Sequence, residues 1–453
     1  MINPTDFSVR TLGRCTVESP IQRYWAHARE MEIFVPDEDK ILLDDSLTSV
    51  ATSIARNETL TAFELAGPRR KLFFDPANSS CAIVTCGGLC PGINDVIRGI
   101  VMQACLRYGV RTIFGVQCGY EGLIKEYGHP VLNLTPESVE NIHSLGGSML
   151  GTSRGPQDAS QIVQRLCELN IKILFIIGGD GTLRGANQIA GEAQRRDYPI
   201  SIVGIPKTID NDIMFTDKSF GYETACAAAV EAIKAAHAEA RTVRNGVGLV
   251  KLMGRHSGFI ACSAALATSE VNFVLIPEVS FDLEGENGFL EALERRIQHR
   301  GYALIVVAEG AGQELFDDFD KDTDLSGNVT LNDIGLLLKK NMEEHSKRRS
   351  LNLKFKYIDP SYMIRGLRAN PQDASYCVRL AQNAVHAAMA GKTGIAITCW
   401  HGHYVHVPIS LAVATRKQID PKSDLWHSVI ESTGQSPKFF STNQCHVVPD
   451  KKS

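Results

Sequence analysis

The chain has 453 residues, of which 44% are hydrophobic and 22% charged. Lys plus Arg number 47 against 51 Asp plus Glu, a formal charge of −4 at pH 7, so the bulk positive charge that carries a nucleic-acid binder is missing. Twelve Cys are far too few for a disulfide scaffold, and no apolar run reaches the roughly 18 residues that span a bilayer.

Residues 1–79 are acidic in the middle (PDEDKILLDD), carry no long apolar run, and read as an N-terminal extension docked on the main body. From Cys81 the texture changes to short β-branched runs: CAIVTC (81–86), TIFGVQ (112–117), ILFIIGG (173–179), SIVGIP (201–206), GLVKLMG (248–254), FVLIPE (273–278), ALIVVAEG (303–310) and GIAITCW (394–400). Continuous apolar runs are what strands buried on both faces look like. Between them NDVIRGIVMQACLRYG, ETACAAAVEAIKAAHAEAR, GFLEALERRIQ and ASYCVRLAQNAVHAAMAGK are Ala-rich or amphipathic and predict helices. The alternation predicts an α/β protein with two doubly wound, mainly parallel-sheet domains and a site in the cleft between them, at the carboxyl ends of the strands. The expected boundaries are 1–79 for the extension, 80–245 and 246–410 for the two domains, and 411–453 for a C-terminal extension. Residues 312–352 read as a polar insertion in the second domain. Cys81, Cys262 and Cys399 sit singly in apolar runs and are expected to be reduced core thiols. The first fifteen residues hold no apolar stretch, so a cytoplasmic enzyme is expected.

The chemistry is carried by the strand-to-helix loops. In CAIVTCGGLCPGIND (81–95) glycines follow a strand, where backbone N–H groups and a helix N-terminus can approach a phosphate. ILFIIGGDGTLRGAN (173–187) delivers Gly179, Asp180, Gly181 and Thr182 at a strand end, and an aspartate there can meet a Mg²⁺ held by nucleotide phosphates. IPKTIDNDI (205–213) sets Asp210 and Asp212 on either side of Asn211, so that one carboxylate can serve as base for a sugar hydroxyl. LVKLMGRHSGFIA (249–261) ends a strand in Met253-Gly254-Arg255, a guanidinium placed for a phosphate. VVAEG (306–310) offers Glu309 to sugar hydroxyls, and DPSYMIRG (359–366) offers Tyr362 and Arg365 to a distal phosphate. The stretch DTDLSGNVTLND (322–333) has the spacing of an EF-hand calcium loop but ends in Asp333 where the bidentate Glu belongs, and reads as a polar turn.

With GGLCPG, TSRG, GGDGT, PKTIDND, MGR and YMIRG in this order, the chain resembles the 6-phosphofructokinases over residues ~80–410, and within them the ATP-using branch of the pyrophosphate-dependent group. The resemblance implies Mg²⁺-dependent transfer of the ATP γ-phosphoryl to the 1-hydroxyl of fructose 6-phosphate, in a glycolytic, allosterically controlled homo-oligomer, dimer or tetramer, with no nucleic-acid or membrane partner. It makes 80–245 the nucleotide-binding domain and 246–410 the sugar-phosphate-binding one. It assigns Gly88, Arg154, Gly155 and Gly179 to Thr182 to the nucleotide phosphates and Asp180 to the metal. Asp210 becomes the base, with Arg154 and Lys207 stabilising charge. Thr208, Ile209, Asp212, Met253, Gly254, Arg255 and Glu309 line the sugar, and Tyr362, Met363, Ile364 and Arg365 belong to the 6-phosphate clamp.

Two departures matter. Gly246 stands where small ATP enzymes have an arginine reaching the neighbouring subunit's sugar, so Lys356 or Arg365 is expected to compensate. Lys207 is typical of pyrophosphate users, whereas Gly181 replaces their second Asp and leaves room for the α-phosphate of ATP. A pyrophosphate-dependent enzyme and a non-catalytic sugar-phosphate-sensing subunit are the alternatives. A NAD or lipid kinase would account for GGDGT but not for PKTIDND or MGR.

Overall fold

The computed structural model describes residues 4–25, 32–316 and 330–440. The described residues form two compact units: one takes those up to 224 and returns for 365–417, the other takes those of 225–316, 330–364 and 418–440.

The first unit is built on a nine-stranded sheet. Its spatial order is Lys40–Leu42, Ala62–Leu65, His403–Pro408, Ile395–Trp400, Ser201–Pro206, Ile173–Gly178, Ser80–Thr85, Thr112–Val116 and Val131–Asn133. The five strands from Ile395–Trp400 to Thr112–Val116 are parallel, and the strands outside them pair antiparallel. Side chains alternate across a sheet, and here both faces are covered. Ala82, Val84, Leu174, Ile176 and Ile202 share a core with Ile162, Leu166, Leu183 and Ile189 of the helices Ala159–Glu168 and Asp180–Arg195. Their strand neighbours Cys81, Ile83, Ile173, Phe175 and Val203 are equally buried, on the side where the helices Ile93–Met102 and Pro371–Met389 pack.

The second unit has four parallel strands, in the order Phe273–Leu275, Tyr302–Ala308, Gly246–Leu252 and Lys354–Ile358. Val247, Leu249, Ile305 and Val307 meet Leu293 and Ile297 of the helix Phe289–Arg300 and Ile334, Leu338 and Met342 of the helix Ile334–Arg348. Glu291, Glu294 and His345 gather between these helices with Arg349 as their cation, at 2.6 Å from Glu291 and 3.2 Å from Glu294.

The runs expected as strands all form strands, but the division of the chain differs from the expected one. Residues 366–410, expected in the second domain, belong to the first unit, where Ile395–Trp400 lies parallel to Ser201–Pro206. The N-terminal extension is not merely docked: Lys40–Leu42 and Ala62–Leu65 extend that sheet. Phe7 and Phe63 pack as tilted rings with centroids 5.0 Å apart beside Phe215, and Phe63 lies against Trp400. A buried ion network fastens the same edge. Lys392 Nζ lies 2.8 Å from Glu64 and 3.0 Å from Asp37, and Arg69 Nη2 lies 2.9 Å from Glu64. Burial would raise the Glu64 carboxyl, but His406 and Lys392 outweigh it and hold it at about 2. The C-terminal extension is also divided, its residues up to 417 staying with the first unit. The expected polar insertion 312–352 contains the core helix Ile334–Arg348, whose apolar residues at 334, 338 and 342 are one turn apart. Residues 322–329 of the calcium-like stretch lie outside the described residues, and Asp333 serves elsewhere: it caps that helix and pairs with Lys251.

Among the described residues no cysteine is in a disulfide; Cys81 and Cys262 are buried and Cys399 half-buried. No described helix is long and apolar enough to cross a membrane.

Candidate active site

In the first unit the strands Ile173–Gly178 and Ser201–Pro206 pair residue for residue, so Gly178 and Pro206 end level. The two following loops therefore leave the sheet side by side, and Lys207 N donates to Gly178 O at 2.9 Å. The loop after Ser80–Thr85 joins them through Cys86 N to Ile177 O (3.0 Å), and Gly87 N reaches Ser153 O (2.9 Å) in the loop that carries Arg154. Four loops thus meet at the carboxyl ends of adjacent parallel strands, where open α/β sheets bind ligands.

Glycine is required here by crowding. A Cβ at Gly178 would lie 2.3 Å from Thr182, while one at Gly88 would sit 3.5 Å from the Arg154 guanidinium, which marks how closely that cation covers the loop. Gly181 differs: beyond its chain neighbours and its own helix backbone, no atom lies within 4 Å of its Cβ position. Beside it Asp180 opens the helix Asp180–Arg195, its Oδ2 at 3.2 Å from Arg184 and 3.6 Å from Arg416. A single carboxylate at a helix start, with open space next to it, suits Mg²⁺, which keeps most of its waters and takes one or two protein ligands.

Lys207 is buried, and its Nζ donates to Gly88 O at 2.5 Å. Burial lowers its pKa, and the charges of Arg365 and Arg154 lower it further. The TIDND turn is held from within. Thr208 Oγ1 donates to Asp212 Oδ1 (2.7 Å) and accepts from Asp210 N (3.2 Å). Asn211, at φ 57° and buried, accepts from Ser219 N (3.0 Å), while Ser219 Oγ donates to Thr208 O (2.5 Å). Asp210 is left half-buried at the tip, and Ile209 is buried beneath it.

In the second unit the strands Gly246–Leu252 and Tyr302–Ala308 also end together. Glu309 N donates to Leu252 O (2.8 Å) and Gly310 N to Gly254 O (3.0 Å). Gly254, at φ 129°, and Gly310, whose Cβ would fall 1.9 Å from Arg255 O, lock this turn. Met253 is buried, Arg255 and Glu309 half-buried. Below them Lys251 pairs with Asp333 (2.7 Å) and Asp359 (3.0 Å). Asp359 accepts from Ser361 N and Oγ at the start of the helix Ser361–Arg365. On that helix Ile364 is buried, whereas Tyr362 and Met363 are 88% and 76% exposed.

A family model described as phosphofructokinase matches residues 80–388, more than half the chain. The chain belongs to the phosphofructokinase family. Two curated relatives, the ATP-dependent 6-phosphofructokinases of Amycolatopsis methanolica and Borreliella burgdorferi, are each 47% identical to it. The matches run over 440 and 442 residues, 96% and 95% of this chain and 96% and 97% of theirs. Among solved structures, a pyrophosphate-dependent phosphofructokinase from Marinobacter aquaeolei is similar in fold, with a TM-score of 0.64 and 21% identity. That match covers 80% of this chain and 93% of the other.

Against this phosphofructokinase frame the expected residues fall into two sets. Gly88, Arg154, Gly155, Gly179 to Thr182, Lys207 to Asp210, Asp212 and Arg365 belong to the first unit; Met253 to Arg255, Glu309 and Tyr362 to Ile364 belong to the second. An arginine at position 246 is excluded outright, because even a Cβ there would lie 1.9 Å from Ala240 O. Lys356, a candidate to compensate, is paired with Glu239 at 3.0 Å. Sequence reasoning missed Arg416 and Lys251. Arg416 follows an apolar stretch with nothing local to mark it, and Lys251 reads as one polar residue in a buried strand.

Proposed function

We propose that the chain is an ATP-dependent 6-phosphofructokinase, moving the γ-phosphoryl of ATP to the 1-hydroxyl of fructose 6-phosphate and giving fructose 1,6-bisphosphate and ADP. The observation that carries the choice of donor is the open space beside Gly181, next to a carboxylate at a helix start. It supports a donor with bulk and charge beyond its second phosphate, as in the named ATP-dependent relatives.

Asp210 takes the proton of the 1-hydroxyl as the oxygen attacks phosphorus. Transfer passes through a loose, metaphosphate-like state, so most of the catalysis is positioning and charge stabilisation. Arg154 and Lys207 supply positive charge close to Gly88, and the 178–182 turn presents backbone N–H groups to the phosphates. Asp180 would hold Mg²⁺, which when bound neutralises phosphate charge. Thr208 orients Asp212 and the Asp210 backbone. Met253 to Arg255 and Glu309 bind the sugar, and Tyr362 to Arg365 its 6-phosphate. The enzyme works in the cytoplasm as a homodimer or homotetramer.

Comparing kcat/KM for ATP and for pyrophosphate in the wild type and in Gly181→Asp tests the donor. The Cβ position at Gly181 is open, so a side chain is tolerated there, and far-UV circular dichroism of the variant checks that the fold is kept. Like charges at ~4 Å and an effective dielectric of ~20 repel by about 4 kcal/mol, an upper figure, so ATP use falls by orders of magnitude while pyrophosphate use survives or appears. A wild type that prefers pyrophosphate, or a variant that keeps its ATP turnover, overturns the assignment.

A further inference from the structure

The carboxylate at the head of the helix Asp180–Arg195 faces two arginines of different origin. Arg184 lies one turn along the same helix, more than half exposed, and its 3.2 Å contact is an ordinary surface pair of that spacing. Arg416 comes from 236 residues further along the chain and is carried there by the fold. Its backbone forms a bridge with Ile213. The next residue, Lys417, donates its N–H to Asp212 O (2.9 Å) and its ammonium to Thr216 O (2.8 Å) and Asp217 O (2.9 Å). The segment is therefore stitched to the loop that carries Asp210 and Asp212. The Arg416 side chain remains 31% exposed, and its Nη2 stops 3.6 Å from Asp180 Oδ2, an ion pair too long for a hydrogen bond.

A second arginine is not needed to hold Asp180, which already has Arg184 and the positive end of its own helix. What the geometry adds is a planar, partly exposed cation on a fixed backbone, at the residue that precedes Gly181 and its open Cβ position. Guanidinium pairs with phosphate oxygens two at a time, better than with one distant carboxylate oxygen. We propose that Arg416 is a donor-phosphate ligand: it rests against Asp180 while the site lacks its donor and turns to the nucleotide's phosphates when these arrive, leaving that carboxylate to Mg²⁺. This rests on the reading of Asp180–Thr182 as the donor site.

Two opposite changes test it in the full chain. Calorimetry with ATP in EDTA reads phosphate binding without metal, and Arg416→Met weakens it about tenfold or more, as expected for a lost charge-assisted contact. Arg416→Lys recovers part of the loss. In turnover assays the Mg²⁺ concentration needed for half-maximal activity falls in Arg416→Met, because Asp180 has lost a competing cation. Metal-free ATP affinity within twofold of wild type in Arg416→Met overturns the proposal. Should that variant lose its fold, Arg416→Lys carries the test: at least a threefold loss supports the proposal, and unchanged affinity overturns it. Asp180→Asn separates the two levels. If it leaves MgATP affinity unchanged, the donor-site reading is at fault; if it weakens MgATP while the Arg416 variants bind metal-free ATP normally, only the role of Arg416 is.

Discussion

The two units present their loops differently, although both do so at the ends of parallel strands. In the first, the groups are already engaged: Lys207 is buried against Gly88, Thr208 and Asn211 brace their turn, and Asp180 faces two arginines. In the second, the backbone of 253–255 and 309–310 is locked, yet Tyr362 and Met363 stand 88% and 76% exposed above a buried Ile364. The contrast fits the division of labour proposed above. Phosphoryl transfer rewards charges fixed before the substrate arrives, since dipoles that need not reorganise stabilise a transition state best. A sugar clamp can afford side chains that order on binding, at a cost in affinity rather than in rate.

That contrast predicts that substitutions in the two units move different kinetic constants. The largest effect is expected at Asp210. Asp210→Asn keeps the shape and removes the proton acceptor, so kcat falls by on the order of 10²–10⁴ with little change in ATP affinity. A variant that retains more than about a tenth of wild-type kcat takes Asp210 out of the mechanism. Next comes Arg255→Ala in the second unit, which raises KM for fructose 6-phosphate by ~10–150-fold, the equivalent of a lost contact of ~1.5–3 kcal/mol. A change confined to the KM of ATP would mean that Arg255 serves the donor, and the contrast would collapse.

The smallest effect concerns stability and sharpens the comparison at the first sheet's edge. Glu64 is held at about 2, below its unfolded value of 4.5. Its contribution is fully present above pH ~4.5 and is lost as pH falls toward 2. Glu64→Gln should therefore cost on the order of 2 kcal/mol near neutrality, with the two proteins' melting temperatures converging over that acid window. Parallel melting curves across the window would show that the carboxylate adds nothing to the edge.

Central strands were legible because burial on both faces leaves a continuous apolar run; SIVGIP matches Ser201–Pro206 end to end. The loop glycines were legible because crowding restricts the choice of residue, as at Gly178 and Gly310. Edge strands were not: Lys40–Leu42 is short and partly exposed, with no run to read. The helix Ile334–Arg348 did leave a signal, Ile334, Leu338 and Met342, outweighed by the charge around it. Nothing local could reveal that Ile395–Trp400 joins Ser201–Pro206, or that Arg416 reaches Asp180, because both are matters of long-range register.

That pairing also sets a timetable for synthesis. Ser201–Pro206 emerges roughly 190 residues before the strand that must lie beside it, a delay of about 10–40 s at 5–20 residues per second. Meanwhile all four strands of the second sheet, the last ending at Ile358, have left the ribosome. A hydrophobic strand thus waits with one flank open while the interposed segment has its own sheet to build. Until its partner strand arrives, that flank is the edge on which another chain could pair.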